Sequence, residues 1–509
     1  MWMHRYQRHA LAIGLGILQA VALSDPAGGA LSALLQLLSM VGLLVIIRQG
    51  STFQTAWLFA TSWLCATVWW LYIALHTFGQ LPAPLTILAI VLLCGGLAVY
   101  YAASIWLYQW SQPSCHPVLQ GLVFAACWTA AEMARAQWFT GFPWGAIGYA
   151  HVDGRLSHLA PFIGVYGIGF AAALLSAWMV SWWSGAQAKW RWLCLSGLVV
   201  VLPNSLPMPE EELGKVSVAL LQGNIPQDLK FASGRQDALH WYQEQLLQSQ
   251  AQVTVLPETA IPYFKEELPT GYWEAINNTF ASGEKVALMG MPTRDPAKGF
   301  GNSVIALGLD EGPKQYNKHH LVPFGEFTPD TLKWFTRMLR LDFADFNRGE
   351  EGPLPMAWKG QQLAVNICYE DLFGEELAKS FVREAGRTPT VMVNVSNIAW
   401  FGDTVVIPQH LQIARMRSME FKTPTIRATN SGGTAIINAQ GVITHQLTPY
   451  TRGVLKGDVA SQAGTITPFA FWAGHWGLKP LWAICLGIML WAATKTWRSR
   501  KGETALADQ

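Results

Sequence analysis

An apolar stretch of about 20 residues can cross a hydrocarbon core of ~30 Å as a helix, and this chain carries one such stretch after another through its first 205 positions. Seven are read there, approximately over 8–25, 29–47, 52–76, 82–108, 117–138, 159–183 and 190–206, parted by breaks such as SDPAGG, RQGS, GQLPAP and SQPSCHP. An eighth, LKPLWAICLGIMLWAATKTW at 478–497, precedes a basic tail. A chain that is 51% hydrophobic and 13% charged, with 25 Trp, lies far from ordinary soluble composition. Arg5 and Arg8 ahead of the first segment give it the look of a signal peptide, but a second apolar segment follows almost at once, which favours a retained anchor. The expectation is a helical membrane bundle of about eight spans.

Between about 207 and 467 the character changes, with charges, prolines and turn residues separating short β-rich runs. KVSVALLQGNIPQ, QVTVLPETA, KVALMGMPT, GNSVIALG, LAVNICYED, TPTVMVNVSN and TPTIRATNSGGTAIIN read as strands, and DALHWYQEQLLQSQ and PQHLQIARMRSMEF as amphipathic helices. The organisation expected is therefore a seven-helix bundle over 1–206, an α/β domain over 207–467, and a final span with a cytoplasmic basic tail over 468–509.

Charge placement orients the chain. A cytoplasmic N-terminus puts Arg5, Arg8, Arg48, Lys189, Arg191, Lys495, Arg498, Arg500 and Lys501 on the cytoplasmic side and leaves only Arg135 and Arg155 in the short outer loops. After seven spans the α/β domain then faces outward. A net charge of +2 gives no reason to invoke nucleic acid.

Within that outward domain Cys368 is the lone cysteine; Cys65, Cys94, Cys115, Cys127, Cys194 and Cys485 lie in or beside the apolar segments. It ends the apolar run of AVNICYED, where a strand end can present a side chain for chemistry, although a free cysteine is as readily a small core residue. An unpaired thiol in an oxidising compartment is a liability unless buried or used. A nucleophilic thiol needs a base for its proton and a cation or amide donors for the oxyanion. VTVLPETA delivers Glu258 at another strand end, and QYNKHHLVPFGEF carries Lys318. Taken singly, Glu258 reads equally as a helix-capping carboxylate and Lys318 as a solvated charge. No metal is expected, since no second cysteine is at hand and His319–His320 lacks ligand spacing. No G-x-S-x-G elbow, Walker loop or G-x-G-x-x-G occurs.

The order Glu258, Lys318, Cys368 resembles the nitrilase superfamily, whose αββα sandwich carries a Glu-Lys-Cys triad. Such a domain set between seven spans and one resembles, more closely, the apolipoprotein N-acyltransferase family. WTAAEMARAQWFTGFPWGAIGY at 128–149, GVYGIGF, LQGNIPQ, LVPFGEF, NVSNIAWFGD and RATNSGG extend the likeness over nearly the whole chain. The resemblance implies Glu258 as general base, Lys318 as oxyanion stabiliser and Cys368 as nucleophile, with Glu326, Tyr369 and Glu370 in support. Two positions depart from relatives: Ile398 stands where Asp or a polar residue is common, and Phe231 where some have Trp.

The same resemblance implies a bacterial inner-membrane protein whose catalytic domain faces the periplasm. It would move an acyl chain from the sn-1 position of a phospholipid, expected to be phosphatidylethanolamine, to Cys368, and thence to the α-amine of a diacylglyceryl-cysteine at the N-terminus of an apolipoprotein. No cofactor is implied, and a monomer is expected. FTGFPWGAIGY reads either as part of a lipid entrance or as a surface seating the domain on the bundle; Glu132 and Arg135, three apart, either pair on one helix face or, as ionisable residues at membrane depth, are candidates for function. A membrane-tethered amidase of the same fold, hydrolysing an amide or ester, is the nearest rival. A transporter is disfavoured by the lack of an internal repeat.

Overall fold

The computed structural model describes residues 2–24, 29–50, 53–111, 117–183, 197, 212–230, 232–295, 299–328, 333, 346–462 and 466–507. They divide into two compact units, residues 1–208 with 476–509, and residues 209–475. The seventh apolar segment at 190–206 and the Phe231 position fall outside the described residues.

The first unit is helical: α1 (Trp2–Leu23), α2 (Ala30–Arg48), α3 (Phe53–Thr67), α4 (Ala83–Trp110), α5 (Pro117–Gln137) and α6 (Ala160–Trp183), with Lys479–Ala507 returning to it. Leu31, Leu34 and Leu38 of α2 and Leu85, Leu88 and Leu92 of α4 stay exposed while the opposite faces of both helices are buried. Helices apolar all round suit a lipid surround. Among the described residues three helical stretches are long and apolar enough to span: Ala30–Arg48, Ala83–Trp110 and Arg155–Trp182; Pro468–Trp476 with Lys479–Ser499, taken as one broken span, makes four. The segment expected over 52–76 is interrupted, because α3 stops at Thr67 and a π-helix, Ile73–Phe78, follows. The break seats the buried Trp70 edge-on against Trp144, ring centres 4.9 Å apart.

Trp144 belongs to the FTGFPWGAIGY loop, and two buried charges fix that loop. Arg135 donates from Nη1 to the Phe142 and Trp144 carbonyls, each at 2.6 Å, and from Nε to the Tyr101 hydroxyl at 2.8 Å. Glu132 accepts from the Ile147 amide at 2.9 Å. The expected pairing of the two side chains with each other is thus replaced by bonds to the loop backbone, which supplies polar partners where the membrane does not. Phe139, with φ 52°, is left 85% exposed at the loop's tip.

The second unit stacks two six-stranded sheets. One has the order β12-β1-β2-β3-β4-β5 and the other β11-β10-β9-β8-β7-β6. The strands are β1 (Glu212–Gln222), β2 (Val253–Val255), β3 (Val286–Asp295), β4 (Gly299–Leu307), β5 (Lys314–Asn317), β6 (Met356–Trp358), β7 (Gln361–Ile367), β8 (Val391–Ser396), β9 (Thr425–Thr429), β10 (Ala435–Ile437), β11 (Ile443–Gln446) and β12 (Gly453–Gln462). β1, β2 and β3 run parallel, as do β7, β8 and β9; the outer strands are antiparallel.

The central strands are apolar on both faces because both faces are covered. Val216, Val218, Leu220, Val253 and Leu288 from one sheet meet Val365, Ile367, Val393, Val395 and Ile426 from the other in a single core. The alternate residues Ala219, Leu221, Ala287 and Met289 pack under α7 (Gly234–Gln248) and α8 (Tyr272–Phe280). α9 (Val406–Phe421) lends Phe421 to a cluster with Phe381, Met392 and Phe469 behind the second sheet. Helix, sheet, sheet, helix is the layering expected from the sequence.

Candidate active site

Parallel strands in register send their carboxyl ends to one edge, and ligands of α/β folds bind at such ends. Glu258 follows β2, three residues past Val255. Its turn presses so closely on β3 that a Cβ at Gly290 would lie 2.1 Å from the Pro257 carbonyl oxygen, so no larger residue fits there. Lys318 follows β5 directly, its amide donating to the Asn302 carbonyl of β4 at 2.8 Å and its carbonyl accepting from Gly349 at 2.9 Å. Cys368 ends β7 with φ 54°, a left-handed backbone that costs a non-glycine residue about 1–3 kcal/mol and turns the chain into a short 3-10 segment, Cys368–Leu372. The thiol is partly buried.

Lys318 and Glu258, read separately from the sequence, meet in a closed ring of hydrogen bonds. Asn302 Nδ2 donates to Glu258 Oε1 at 2.7 Å and to Glu326 Oε1 at 2.8 Å; Lys318 Nζ donates to the same two oxygens at 3.3 and 2.9 Å. The second oxygen of Glu258 accepts from the Asn397 amide at 2.8 Å, and that of Glu326 from the Val322 amide at 2.8 Å. Glu258, Lys318 and Asn302 are all at least nine-tenths buried.

Burial pushes the Glu258 carboxyl up, but the Lys318 ammonium, the Asn302 amide and the Lys230 ammonium together prevail and hold it below the usual carboxylate range. Burial also works against the Lys318 ammonium, and Glu258 and Glu326 outweigh it, keeping that group above the ordinary lysine value. The Cys368 thiol is pushed up to about 12, by burial first and then by the Glu258 carboxylate, against the pull of Lys318, Ser396 and Arg427. At neutral pH the site holds an ionised carboxylate, a permanent cation and a neutral thiol. That arrangement suits a thiol that loses its proton only as it attacks.

The supporting residues are placed as follows. Glu370 is buried and accepts from the Tyr316 hydroxyl at 2.7 Å, the Ile367 amide at 2.6 Å, and the His319 and His320 amides at 2.6 and 3.1 Å. One carboxylate therefore ties the backbone beside Cys368 to the backbone after Lys318. Tyr369 is buried with its ring 5.3 Å from Phe373 and 5.7 Å from His320, on the flank of the lysine segment. Ile398 is buried beside the exposed Trp400.

Sequence reasoning passed over several neighbours. Lys230 is buried and donates to the Glu258 carbonyl at 3.1 Å; burial brings its amine down to about 8 against the pull of Glu258 and Cys368. Behind the thiol, Arg427 of β9 donates to Asp371 at 2.7 Å and to Ser396 at 3.2 Å, and pairs with His410 Nδ1 at 2.7 Å. Ser396 and Arg427 lie in NVSNIAWFGD and RATNSGG, so a signal for them was present; Asn302, in GNSVIALG, offered none beyond a strand pattern.

The sandwich, with a thiol, a carboxylate and an amine at its strand ends, defines a carbon-nitrogen hydrolase domain: the model for that family matches residues 217–467. Nit3 of Saccharomyces cerevisiae, of branch 10 of the nitrilase superfamily, aligns with TM-score 0.36 at 18% identity, over 50% of this chain and 92% of that one. A second model, the apolipoprotein N-acyltransferase N-terminal domain, matches residues 15–178. An apolipoprotein N-acyltransferase of Verminephrobacter eiseniae is 46% identical, covering 94% of this chain and 95% of its own length. One of Ralstonia nicotianae is 38% identical, covering 92% and 90%. The chain belongs to the apolipoprotein N-acyltransferase family.

Proposed function

We propose that this protein acylates the N-terminal α-amine of diacylated apolipoproteins, drawing the chain from the sn-1 ester of a phospholipid such as phosphatidylethanolamine. The observation that carries the reading is the ring joining Glu258, Lys318 and Glu326 beside a strand-end thiol, within a chain whose other unit is a bundle of apolar helices. Glu258 is the general base, Lys318 the oxyanion stabiliser and Cys368 the nucleophile.

An ionised carboxylate offers about four acceptor positions, and Asn302, Lys318 and the Asn397 amide occupy three on Glu258. The fourth, on Oε2, takes the thiol proton as sulfur attacks the ester carbonyl. Lys318 stabilises the tetrahedral oxyanion. Collapse breaks the ester C–O bond, Glu258 returns the proton to the departing glycerol oxygen, and a thioester and a lysophospholipid result. The neutral α-amine of the acceptor then attacks the thioester. Glu258 takes a proton from nitrogen and passes it to the leaving sulfur, so an amide forms and the thiol is restored. Two half-reactions through one covalent intermediate give ping-pong kinetics.

Both substrates are lipids or lipid-bearing, so a membrane platform is part of the reading. Eight spans, the bundle over 1–206, the catalytic domain over 207–467 and a last span with its basic tail over 468–509 are read from the apolar segments, an outward-facing catalytic domain from the arginines and lysines flanking them, and the bacterial inner membrane with its periplasmic side from the family. A reporter fused after Gln509 should report as cytoplasmic and one inserted near residue 300 as exported; the opposite pattern overturns this orientation. A monomer suffices, since every group in the mechanism comes from one chain.

The function is tested by giving the purified enzyme phosphatidylethanolamine and a diacylated lipopeptide. Expected is a triacylated product heavier by one acyl chain, with one lysophospholipid released per amide formed. Free fatty acid in place of amide would assign the chain to hydrolysis instead.

A further inference from the structure

Asn302 touches every charged member of the ring, yet the reaction above gives it no task. Its amide orientation is dictated by its neighbours: two carboxylate oxygens at 2.7 and 2.8 Å demand the Nδ2 donor, and its carbonyl oxygen finds no partner among the described residues. Its own backbone carbonyl accepts from the Lys318 amide at 2.8 Å. One neutral residue on β4 thus joins the two carboxylates through its side chain and the lysine through its backbone.

Two carboxyl groups share one bridging ammonium in a buried site. Like charges this close raise each other's proton affinity, and a carboxylate pair without enough donors shares a proton. Each Oε1 of the ring has two donors, Lys318 Nζ and Asn302 Nδ2. Removing the amide leaves one donor for both. We propose that Asn302 is a positioning residue that keeps Glu258 ionised beside the Glu326 carboxyl group, and so fixes the lowest pH at which Glu258 can act as base.

The charged and titratable groups facing Glu258 fit this assignment. Lys230 comes from the loop after β1, Lys318 and Glu326 from the segment after β5, Cys368 from the turn after β7 and Arg427 from β9. Lys318 in turn acts on Glu370 and His410. None of these groups bridges both carboxylates except Lys318, so none replaces the Asn302 donor. The Glu258 carboxyl lies below its usual range, with the Asn302 hydrogen bond among the causes. A base with a lowered value stays competent until pH falls through that value. Losing the donor raises it, and the acid limb of the rate profile moves to higher pH.

The proposal rests on the reading of Glu258 as the base, and the test keeps the two separable by measuring Cys368 without lipid. Wild type, Asn302→Leu and Asn302→Asp are treated in membranes or detergent with iodoacetamide from about pH 2.5 to 9, and alkylation of the Cys368 peptide is followed by mass. In wild type the rate should fall on the acid side through a single limb. In Asn302→Leu that limb should move up by about one pH unit or more, a roughly tenfold loss at any pH below it, with recovery above it. Asn302→Asp, which keeps the shape and adds a third carboxylate, should move it at least as far, and it carries the test if Asn302→Leu does not fold. An unmoved limb in a folded variant, whether rates stay normal or fall equally at every pH, overturns the proposal. Absence of the acid limb in wild type, or its persistence in Glu258→Gln, overturns instead the role of Glu258.

Discussion

Cys368→Ser should abolish the proposed acyl-enzyme. Wild-type protein mixed with phospholipid and no acceptor amine should gain the mass of one fatty acyl chain, lose it to neutral hydroxylamine, and discharge it into amide when a diacylated lipopeptide is added. The intermediate should survive isolation, because a site that waits for a second lipid-bearing substrate gains by keeping water out. A hydroxyl has far less nucleophilic power than a thiol aided by a base, and the serine protein should show neither adduct nor turnover. The substitution is close to isosteric and keeps the left-handed turn at φ 54°, so expression and melting temperature should match wild type. An adduct that maps to another residue, or a serine variant with normal turnover, would return Cys368 to the role of a small core residue.

Glu258→Gln should cost on the order of 10²–10⁴ in both half-reactions, the range for loss of a general base. The amide keeps one oxygen, which can go on accepting from Lys318 and Asn302 while its NH2 group faces the Asn397 amide, so a melting temperature close to wild type is the control that the site remains assembled. What it cannot do is take the thiol proton, and with the thiol pushed up to about 12 almost no thiolate forms unaided near neutral pH. The residual rate should therefore climb with rising pH, as hydroxide begins to ionise Cys368. A flat profile, or near-wild-type turnover, would place the base elsewhere. Acyl-enzyme formation and discharge followed separately should slow together if Glu258 serves sulfur in one step and nitrogen in the other.

Much of this site was legible before any coordinates. Glu258 and Cys368 are visible because each interrupts an apolar strand, and an abrupt change from Val, Leu or Ile to an ionisable residue marks a strand end wherever it occurs. β5, with KQYN, and β11, with ITHQ, were missed because edge strands face water and keep no apolar run. Asn302 was hidden for the opposite reason. It sits inside a good strand pattern, and nothing local says that its amide meets two carboxylates 44 and 24 residues away. The third apolar segment was read as one continuous span because hydropathy is blind to the turn that brings Trp70 onto Trp144. Glu132 and Arg135 were paired by their spacing, whereas buried backbone carbonyls and an amide of the neighbouring loop claimed them.

The pairing of β1 with β12 has a consequence in time. The first strand of the catalytic domain finds its outer neighbour only in the last, with Glu212 opposite Gln462. During synthesis Cys368 leaves the ribosome 94 residues before that final strand is complete, which at about 5–20 residues per second is roughly 5–20 s. For that interval the sheet bearing Glu258 lacks its edge, and Cys368 has already been made. A newborn chain thus carries the Cys368 thiol before the sandwich that half buries it can close, and any oxidant it meets in that interval meets an unsheltered cysteine.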